Sequence, residues 1–309
     1  MKRTLICFTI TFIALSCAPN EEETATKGHL RILVAESVAP VLEQEIAQFM
    51  NLYQTHGADV TYAVMQSEEA DARFVNDTAR IIVTTVPLTD PAKAKVKKTT
   101  DKLAEIVLAY DGVVAVVQNR NHRNELSVKQ LRDLLSGTIS RWEQLSPPES
   151  QHGRIRLVFE DSSDVSDYFT RRLLGGTQIK VDFSKTKSSE QTLQEVSNNP
   201  NALGFVGLNW ANSALDRVKI LSIAADSSVA DTLFKPPPES FGNAYSPHPA
   251  YLYLNYYPMK RAIYVYARTT TGDFATGVAS FFASPAGQKI FLEAGLVPGT
   301  QKIVLKRPD

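Results

Sequence analysis

IVLAYDGVVAVVQN, residues 106–119, is an almost entirely apolar sequence near the middle of this 309-residue chain. Its two apolar runs, 106–109 and 112–117, are separated by a break at 110–112 that contains an aspartate and a glycine. Short apolar runs rich in valine predict buried strands. The pattern therefore predicts buried strand structure in this segment, interrupted where the break falls.

Toward the N-terminus, strand-like and helix-like patterns alternate. Residues 30–35 are typical of a buried strand, and further strands are predicted at 59–65 and 80–86. Between the first two strands, apolar residues recur at helical spacing (positions 38, 41, 42, 46, 49, 50 and 53), and Ser37 is a suitable N-cap for this helix. Residues 91–102 are typical of a surface helix or loop.

The same alternation continues toward the C-terminus. Ser127 and Gln130 form a capping-box pattern that opens a helix, and Gly137 follows the end of that helix. Strands that alternate with helices predict an α/β fold with mostly parallel sheets. The remaining predicted elements are strands at 155–159, 202–208 and 262–267, helices at 163–174, 191–196 and 275–294 (interrupted at 284–285), and a long irregular connection at 225–249.

Six blocks of the sequence, in this order, resemble the phosphate-binding proteins of bacterial ABC phosphate transporters. Together the blocks extend over most of residues 30–305, so the resemblance covers nearly the whole chain. The blocks are IVLAYDGVVAVVQN (106–119), LSVKQL (126–131), LSGTISRW (135–142), ALGFVG (202–207), YPMKRAIY (257–264) and the segment 281–298 with SPAGQ at 284–288.

The resemblance implies a two-lobed, type II periplasmic-binding fold. One lobe would comprise residues 30–111 and 246–309, and the other residues 112–245. Two segments would cross between the lobes and form the hinge. A ligand would lie in the cleft, where helix N-termini from both lobes converge.

The N-terminus has the pattern of a lipoprotein signal peptide. A basic start at Lys2 and Arg3 precedes an uncharged apolar run at 4–15. This run is too short to cross the roughly 30 Å apolar layer of a bilayer, which takes about 20 residues, so it is typical of an export signal. Cys17 closes the run and resembles a bacterial lipobox, which implies that its thiol is acylated. The alternative is an ordinary signal peptide with an incidental cysteine.

Charge and cysteine content limit the classes of function. Without residues 1–16 the chain keeps 31 basic and 33 acidic residues, so its charge gives no indication of a nucleic-acid partner. Cys17 would be the one cysteine left, and an acylated thiol forms no disulfide, so we expect the core alone to hold the fold. The acidic segment 18–29 predicts a flexible tether. Its acids also resemble a surface-export signal.

Three strand-to-helix turns are candidates for contacts to an oxyanion. Such turns offer backbone N–H groups and the positive end of a helix dipole. At Ser37 and Val38, the family places a hydroxyl and backbone amides on the ligand. At Thr84 and Thr85, the family offers hydroxyls and usually an arginine beside a Pro-Leu-Thr motif. In this chain the motif is present, but the arginine is replaced by Val86. For Ser37 the alternative is a plain N-cap, and for the threonines it is plain strand propensity.

The third turn contains Ser162, Ser163 and Asp164. The family normally carries a threonine where this chain has Asp164. One hypothesis is that Asp164 accepts a hydrogen bond from a protonated oxyanion, which would exclude fully ionised anions. The other is that Asp164 caps its helix in a site that no longer binds phosphate.

The hinge positions and the scattered histidines complete the set of candidates. Arg261 resembles a structural arginine of the family, and we expect it to form an interlobe ion pair rather than a ligand contact. The five histidines show no metal-ligand spacing, and there is no Gly-x-Ser-x-Gly elbow. These observations predict a protein that is not an enzyme and needs no metal or cofactor.

The resemblance and the N-terminus together predict an exported, lipid-anchored, monomeric protein of the cell envelope. It would capture phosphate or a related oxyanion and deliver it to an ABC permease. The alternative is a lipoprotein of the same fold that has lost its solute and serves as a protein-interaction or sensory module. The departures at Val86 and at 162–164 are the features that favour the alternative.

Overall fold

The computed structural model describes residues 22–100, 102–145, 152–227 and 234–303. Cys17 and the predicted signal peptide lie outside these residues. Among the described residues, no helix combines the length and apolar character that crossing a membrane requires.

The elements follow the predicted alternation. The strands are β1 (Gly28–Ala35), β2 (Ala58–Met65), β3 (Ile81–Thr84), β4 (Lys102–Gln118), β5 (Glu125–Ser127), β6 (Arg156–Glu160), β7 (Ser184–Thr186), β8 (Ala202–Gly207), β9 (Val218–Ile220), β10 (Ser222–Ala224), β11 (Ala244–Tyr245), β12 (Lys260–Thr269) and β13 (Val297–Pro298). The helices are α1 (Ala39–Tyr53), α2 (Ser67–Val75), α3 (Asp90–Val96), α4 (Val128–Ser136), α5 (Asp164–Tyr168), α6 (Ser189–Asn198), α7 (Leu208–Asn212), α8 (Pro249–Tyr253), α9 (Phe274–Ala283) and α10 (Pro285–Glu293).

One curled sheet runs through the molecule in the order β2-β1-β3-β12-β4-β8-β6-β7. We call the part built on β2, β1, β3, β12 and the first half of β4 lobe 1, and the part built on the second half of β4 with β8, β6 and β7 lobe 2. The outer strands of each lobe pair in parallel, but β12 pairs antiparallel with both β3 and β4, and β4 pairs antiparallel with β8. The prediction of mostly parallel sheets is therefore wrong at the centre of the sheet.

Strand β4 passes without interruption through the predicted break at 110–112. Its residues keep strand pairing there because β12 lies alongside, with Lys260 opposite Gly112 and Arg261 opposite Asp111. The predicted interruption is wrong because a neighbouring strand, distant in sequence, supplies the hydrogen-bond partners that the local sequence does not reveal. One strand thus belongs to both lobes.

The segment before β1 belongs to lobe 1. Glu23 forms an ion pair with Arg80 at 2.9 Å, and Arg80 also contacts Asp273 at 3.0 Å. The backbone of Ala25 passes so close to Gly277 in α9 that a side chain at that position would collide with it. The predicted tether 18–29 is therefore too long, because its described residues pack on lobe 1 and β1 begins at Gly28.

The apolar face of α1 fixes that helix against lobe 1. Val41, Leu42, Ile46 and Phe49 are buried at the predicted helical spacing. Phe49 packs against aromatic rings of α9. This packing holds the turn before α1 at the edge of the cleft.

Candidate functional site

The residues that follow four of the strands lie at the cleft between the lobes. In lobe 1, Ser37 follows β1, Ser67 follows β2 and Thr85 follows β3. These three strands are parallel, so their carboxyl ends meet at one edge of the sheet, where open α/β sheets bind ligands. In lobe 2, Asp164 follows β6. We call Ser37, Ser67 and Thr85 the hydroxyl ring.

All three hydroxyls of this ring donate to one carboxylate oxygen of Asp164. Oδ2 of Asp164 accepts from Ser37 Oγ at 2.8 Å, Ser67 Oγ at 2.8 Å and Thr85 Oγ1 at 2.6 Å. The other carboxylate oxygen, Oδ1, accepts from the backbone N–H of Ser67 at 3.3 Å. Hydrogen bonds to an ionised acceptor are among the stronger ones in proteins. The ring is therefore a site for a negatively charged oxygen, and Asp164 supplies that oxygen.

A second carboxylate crosses the cleft in the opposite direction. Glu36, from the turn before α1, accepts from both the backbone N–H and the hydroxyl of Ser189, each at 2.8 Å. Ser189 is the first residue of α6 in lobe 2, so the carboxylate lies at the positive end of that helix dipole. Beside it, Gln66 Nε2 donates to Glu160 Oε1 at 2.5 Å.

The cleft is strongly acidic. Burial raises the pKa of Glu160 to about 8, and the nearby charges of Glu36 and Asp164 add to this rise. Burial also raises the pKa of Glu36. The pKa of Asp71, at the cleft wall, is raised to about 7 by burial and by the charges of Asp164 and Glu68. A further anion entering the cleft would thus meet several carboxyl groups.

Two cavities flank Asp164. One, of about 290 Å³, is lined by cationic and aromatic side chains that include Arg171, Lys260 and Phe234. The other, of about 720 Å³, has acidic walls that include Glu68 and Asp71. The cleft therefore has room beside the hydroxyl ring on both sides.

The hinge carries a buried ion pair. Arg261 of β12 donates to Oδ2 of Asp111 on β4, with Nη2 at 2.7 Å and Nε at 3.0 Å. Both side chains are buried, and burial raises the pKa of Asp111 while the Arg261 charge opposes that rise. Arg261 does form an ion pair, but Asp111 and Arg261 lie opposite each other within lobe 1, so the prediction that the pair joins the two lobes is wrong. Nη1 of Arg261 also donates to the Thr85 hydroxyl at 3.5 Å.

The structure gathers some of the predicted site residues and not others. Ser37, Thr85 and Asp164 meet through hydrogen bonds, and Ser162 lies exposed on the wall of the larger cavity. Ser37 is not the N-cap of α1: the turn Glu36–Val38 precedes the helix, and Val38 takes the cap position. Contact of any of these residues with a ligand stays a prediction.

Three predicted residues have other roles in this structure. Val38 is fully buried in the core. The Thr84 hydroxyl donates to the carbonyl of Val86 and accepts from its N–H, so it stabilises the local turn. The Ser163 hydroxyl donates to the carbonyl of Glu160 at 2.7 Å and accepts from the N–H of Ser166, which makes it the N-cap of α5.

Four further cleft residues were not predicted from the sequence: Ser67, Gln66, Glu36 and Glu160. Ser67 had a usable signal: it follows the predicted strand 59–65 closely, as Ser37 follows the predicted strand 30–35. The two glutamates had none, because a glutamate at the end of a strand is usually solvated, and only the opposite lobe buries these two.

A sequence model of the PBP superfamily domain matches residues 19–286. This chain belongs to the PBP superfamily. Its curled α/β sheet is that of a type II periplasmic-binding protein, as the sequence predicted.

Individual members of the superfamily show how far the likeness extends. The phosphate-binding protein PstS of Borreliella burgdorferi is 22% identical over 96% of this chain and 99% of its own. The PstS of Staphylococcus saprophyticus is 23% identical over 76% of this chain and 73% of its own. A Clostridium perfringens structure, described as a phosphate ABC transporter substrate-binding protein with bound phosphate, has a TM-score of 0.68 and 20% identity over 88% of this chain and 99% of its own.

Proposed function

We propose that this protein is a solute-binding protein that captures phosphate or a related oxyanion for an ABC transporter. The observation that carries the proposal is the hydroxyl ring, three O–H donors from separate turns of lobe 1 that converge on one anionic oxygen. Similar proteins bear the names phosphate-binding protein and phosphate ABC transporter substrate-binding protein, which supports the same ligand class.

The chemistry of the cleft suits a small oxyanion that still carries a proton. The hydroxyl ring and the N–H of Ser67 would donate to its oxygens, and closure of the lobes would exclude water. The carboxylate of Asp164 can accept a hydrogen bond from a protonated anion but repels one that lacks a proton. Phosphate has such a proton at neutral pH, and sulfate does not.

The cellular context is part of the proposal. We infer that the protein is exported, that Cys17 is acylated and anchors the chain at the cell envelope, and that the protein works as a monomer with an ABC permease. It needs no metal, cofactor or nucleic acid, and it performs no catalysis. The lobe boundaries 30–111 with 246–309, and 112–245, belong to the same proposal.

One observation favours a second function. The hydroxyl ring is already satisfied by Asp164, and both lobes are in contact through it. A protein whose cleft is filled by its own side chain could serve as a protein-interaction or sensory module. The two proposals differ in whether the cleft accepts an oxyanion.

Melting of the purified protein with inorganic phosphate separates the two proposals. Ligand at a hundredfold excess over Kd adds about 2.7 kcal/mol to the free energy of unfolding, so phosphate binding should raise Tm by several degrees. Sulfate should raise Tm less.

Ser37→Ala and Ser67→Ala should reduce the increase in Tm caused by phosphate, since each variant removes a donor to a buried anion. Ser136→Ala, an exposed serine on α4, is the control and should keep it. No shift with phosphate, arsenate or sulfate would favour the interaction module.

A further inference from the structure

The structure provides an anion for the hydroxyl ring from within the chain. We propose that the Asp164 carboxylate is a built-in ligand that holds the lobes together when no solute is bound, and that a solute enters the ring only by displacing it. The displacement part rests on the proposed function. The closure part does not, because it concerns contacts between the lobes alone.

The donors of the ring are fully used by Asp164. A serine or threonine hydroxyl has one proton to donate, and Ser37, Ser67 and Thr85 each direct that proton to Asp164 Oδ2. A solute oxygen at the same position would find no free hydroxyl. Asp164 is itself only 5% exposed, so it binds lobe 1 as a buried ligand would.

The contact is reciprocal. While Asp164 of lobe 2 lies in the hydroxyl ring of lobe 1, Glu36 of lobe 1 lies on Ser189 of lobe 2. Each lobe thus satisfies the anion-binding donors of the other with its own carboxylate. Two carboxylates that cross the cleft in opposite directions hold it shut more firmly than either would alone, because opening must break both sets of hydrogen bonds.

Neutral contacts follow the same interface. The Asn209 side chain donates to the carbonyl of Ser37 at 2.8 Å, and the Trp210 indole N–H donates to the carbonyl of Glu36 at 2.8 Å. Both donors lie on α7, directly after the lobe 2 strand β8. The turn that carries Ser37 is therefore fixed to lobe 2 by its backbone as well as by its side chain.

Charge repulsion opposes the displacement of Asp164 by an oxyanion. An oxyanion that replaced the Asp164 carboxylate would leave that carboxylate nearby, beside Glu36. The buried Arg261 offsets this repulsion only in part: Nη1 lies 3.5 Å from the Thr85 hydroxyl, but Nη2 is paired with Asp111 at 2.7 Å. Wild-type affinity should therefore be weak, and removal of the Asp164 charge should strengthen binding.

Asp164→Ala and Asp167→Ala form a matched pair for the test. Asp167 is on the same helix and lines the same cavities, but its carboxylate bonds to Arg171 on the lobe 2 side. We expect Asp164→Ala to bind inorganic phosphate at least tenfold more tightly than wild type by calorimetry, and to accept sulfate. Asp167→Ala should stay within about threefold of wild type. Equal or weaker phosphate binding by Asp164→Ala would overturn the displacement claim.

A distance measurement tests closure without any solute. Spin labels on cysteines at the exposed positions Lys97 in lobe 1 and Lys187 in lobe 2 report the separation of the lobes. Without anion, wild type should show one short distance, and Asp164→Ala a longer or broader one that phosphate shortens. Equal distances in the two proteins would overturn the closure claim.

Calorimetry and the spin-label distance distinguish failure of the proposed function from failure of the closure proposal. If no variant binds any oxyanion but Asp164→Ala still opens, the proposed function fails and closure by Asp164 stands. Asp164→Asn, which keeps the shape of the side chain, serves as the second variant if alanine impairs folding. Like Asp164→Ala, Asp164→Asn should weaken closure of the lobes and increase the affinity for phosphate.

Discussion

Glu45 is a buried acid outside the cleft. It lies on α1 with 0% of its surface exposed, and its carboxyl group is close to Gly287 of α10. Among the described residues, neither of its carboxyl oxygens has a hydrogen-bond partner. Burial raises its pKa to about 9, so the folded protein keeps a proton on Glu45 that the unfolded chain releases near pH 4.5.

The sign of the pH dependence follows from this difference. Above about pH 4.5 the unfolded chain binds fewer protons than the folded protein, so the free energy of unfolding falls as pH rises toward 9. Glu45→Met should make this fall smaller, while the raised pKa values of Glu160 and Asp71 maintain the remainder. The variant should also stabilise the protein by about 1–3 kcal/mol at pH 7, because a polar group without partners is costly to bury. Urea unfolding at pH 5, 7 and 9 measures the free energy of unfolding of both proteins at each pH.

Glu43→Met is the control for that prediction, because Glu43 lies on the exposed face of the same helix. It should leave the fall in stability between pH 5 and 9 in place. A Glu45→Met protein with the wild-type pH profile would show that the buried carboxyl is not the cause.

Individual site residues were only partly predictable from the sequence. Strand-to-helix turns mark where a cleft lies, so Ser37, Thr85 and Asp164 were identified. The direction of each side chain depends on the opposite lobe, which local patterns do not describe. For this reason Thr84 was included although its hydroxyl bonds to Val86, and Glu36 was omitted although it crosses the cleft.

At the scale of elements, the Ser163 hydroxyl at the start of α5 stabilises the helix as its N-cap. The Ser163 hydroxyl accepts from the N–H of Ser166 in the capping box and donates its proton to the carbonyl of Glu160, so that proton is not available to a ligand. The helix continues beyond Tyr168 as a π-helical turn, Phe169–Leu173. The cap fixes the direction in which α5 begins and thereby the position of Asp164.

Ser163→Ala should lower the stability of the protein without removing a ligand contact. Loss of an N-cap hydroxyl typically costs about 0.5–2 kcal/mol, which denaturant unfolding detects. The phosphate affinity should change far less than in Ser37→Ala. Ser284→Ala removes the N-cap of α10, distant from the cleft, and should show a similar loss of stability. A loss of affinity in Ser163→Ala as large as in Ser37→Ala would restore Ser163 as a ligand contact.

Element types were predicted best where the signal is local. The capping box of Ser127 and Gln130 and the left-handed Gly137 bound α4 as expected. The continuity of β4 was missed, because it depends on pairing with β12 about 150 residues later in the chain. Propensity describes the residue and its neighbours, whereas strand length is decided by the partner strand.

At the scale of the whole molecule, chain order and strand order differ between the lobes. In lobe 1, β12 follows β4 by about 140 residues in sequence but lies between β3 and β4 in the sheet. In lobe 2, β8, β6 and β7 find their neighbours within residues 112–245. Lobe 2 therefore contains its own sheet partners, and lobe 1 depends on the C-terminal part of the chain.

Fragments of the chain should behave accordingly. Residues 112–245 should fold and unfold cooperatively, because every strand pair of their half of the sheet is present. Residues 30–111 should not, since β3 lacks β12 and the first half of β4 has no partner. Circular dichroism during thermal unfolding distinguishes the two cases.

A fusion of residues 30–111 to residues 246–303 through a flexible linker is the matched control, because it restores β12 to the first fragment. We expect this fusion to unfold cooperatively. Cooperative unfolding of the fragment 30–111 without residues 246–303 would contradict the proposed lobe boundaries.

The packing of the N-terminal segment on lobe 1 has a consequence for the protein at a membrane surface. Glu23 and Ala25 are fixed on Arg80 and Gly277 of lobe 1. If Cys17 carries the lipid, the five Cα-to-Cα steps from Cys17 to Glu22 reach at most about 18 Å. Lobe 1 would then be held within that distance of the bilayer surface, and opening of the cleft would move lobe 2 relative to this anchored lobe.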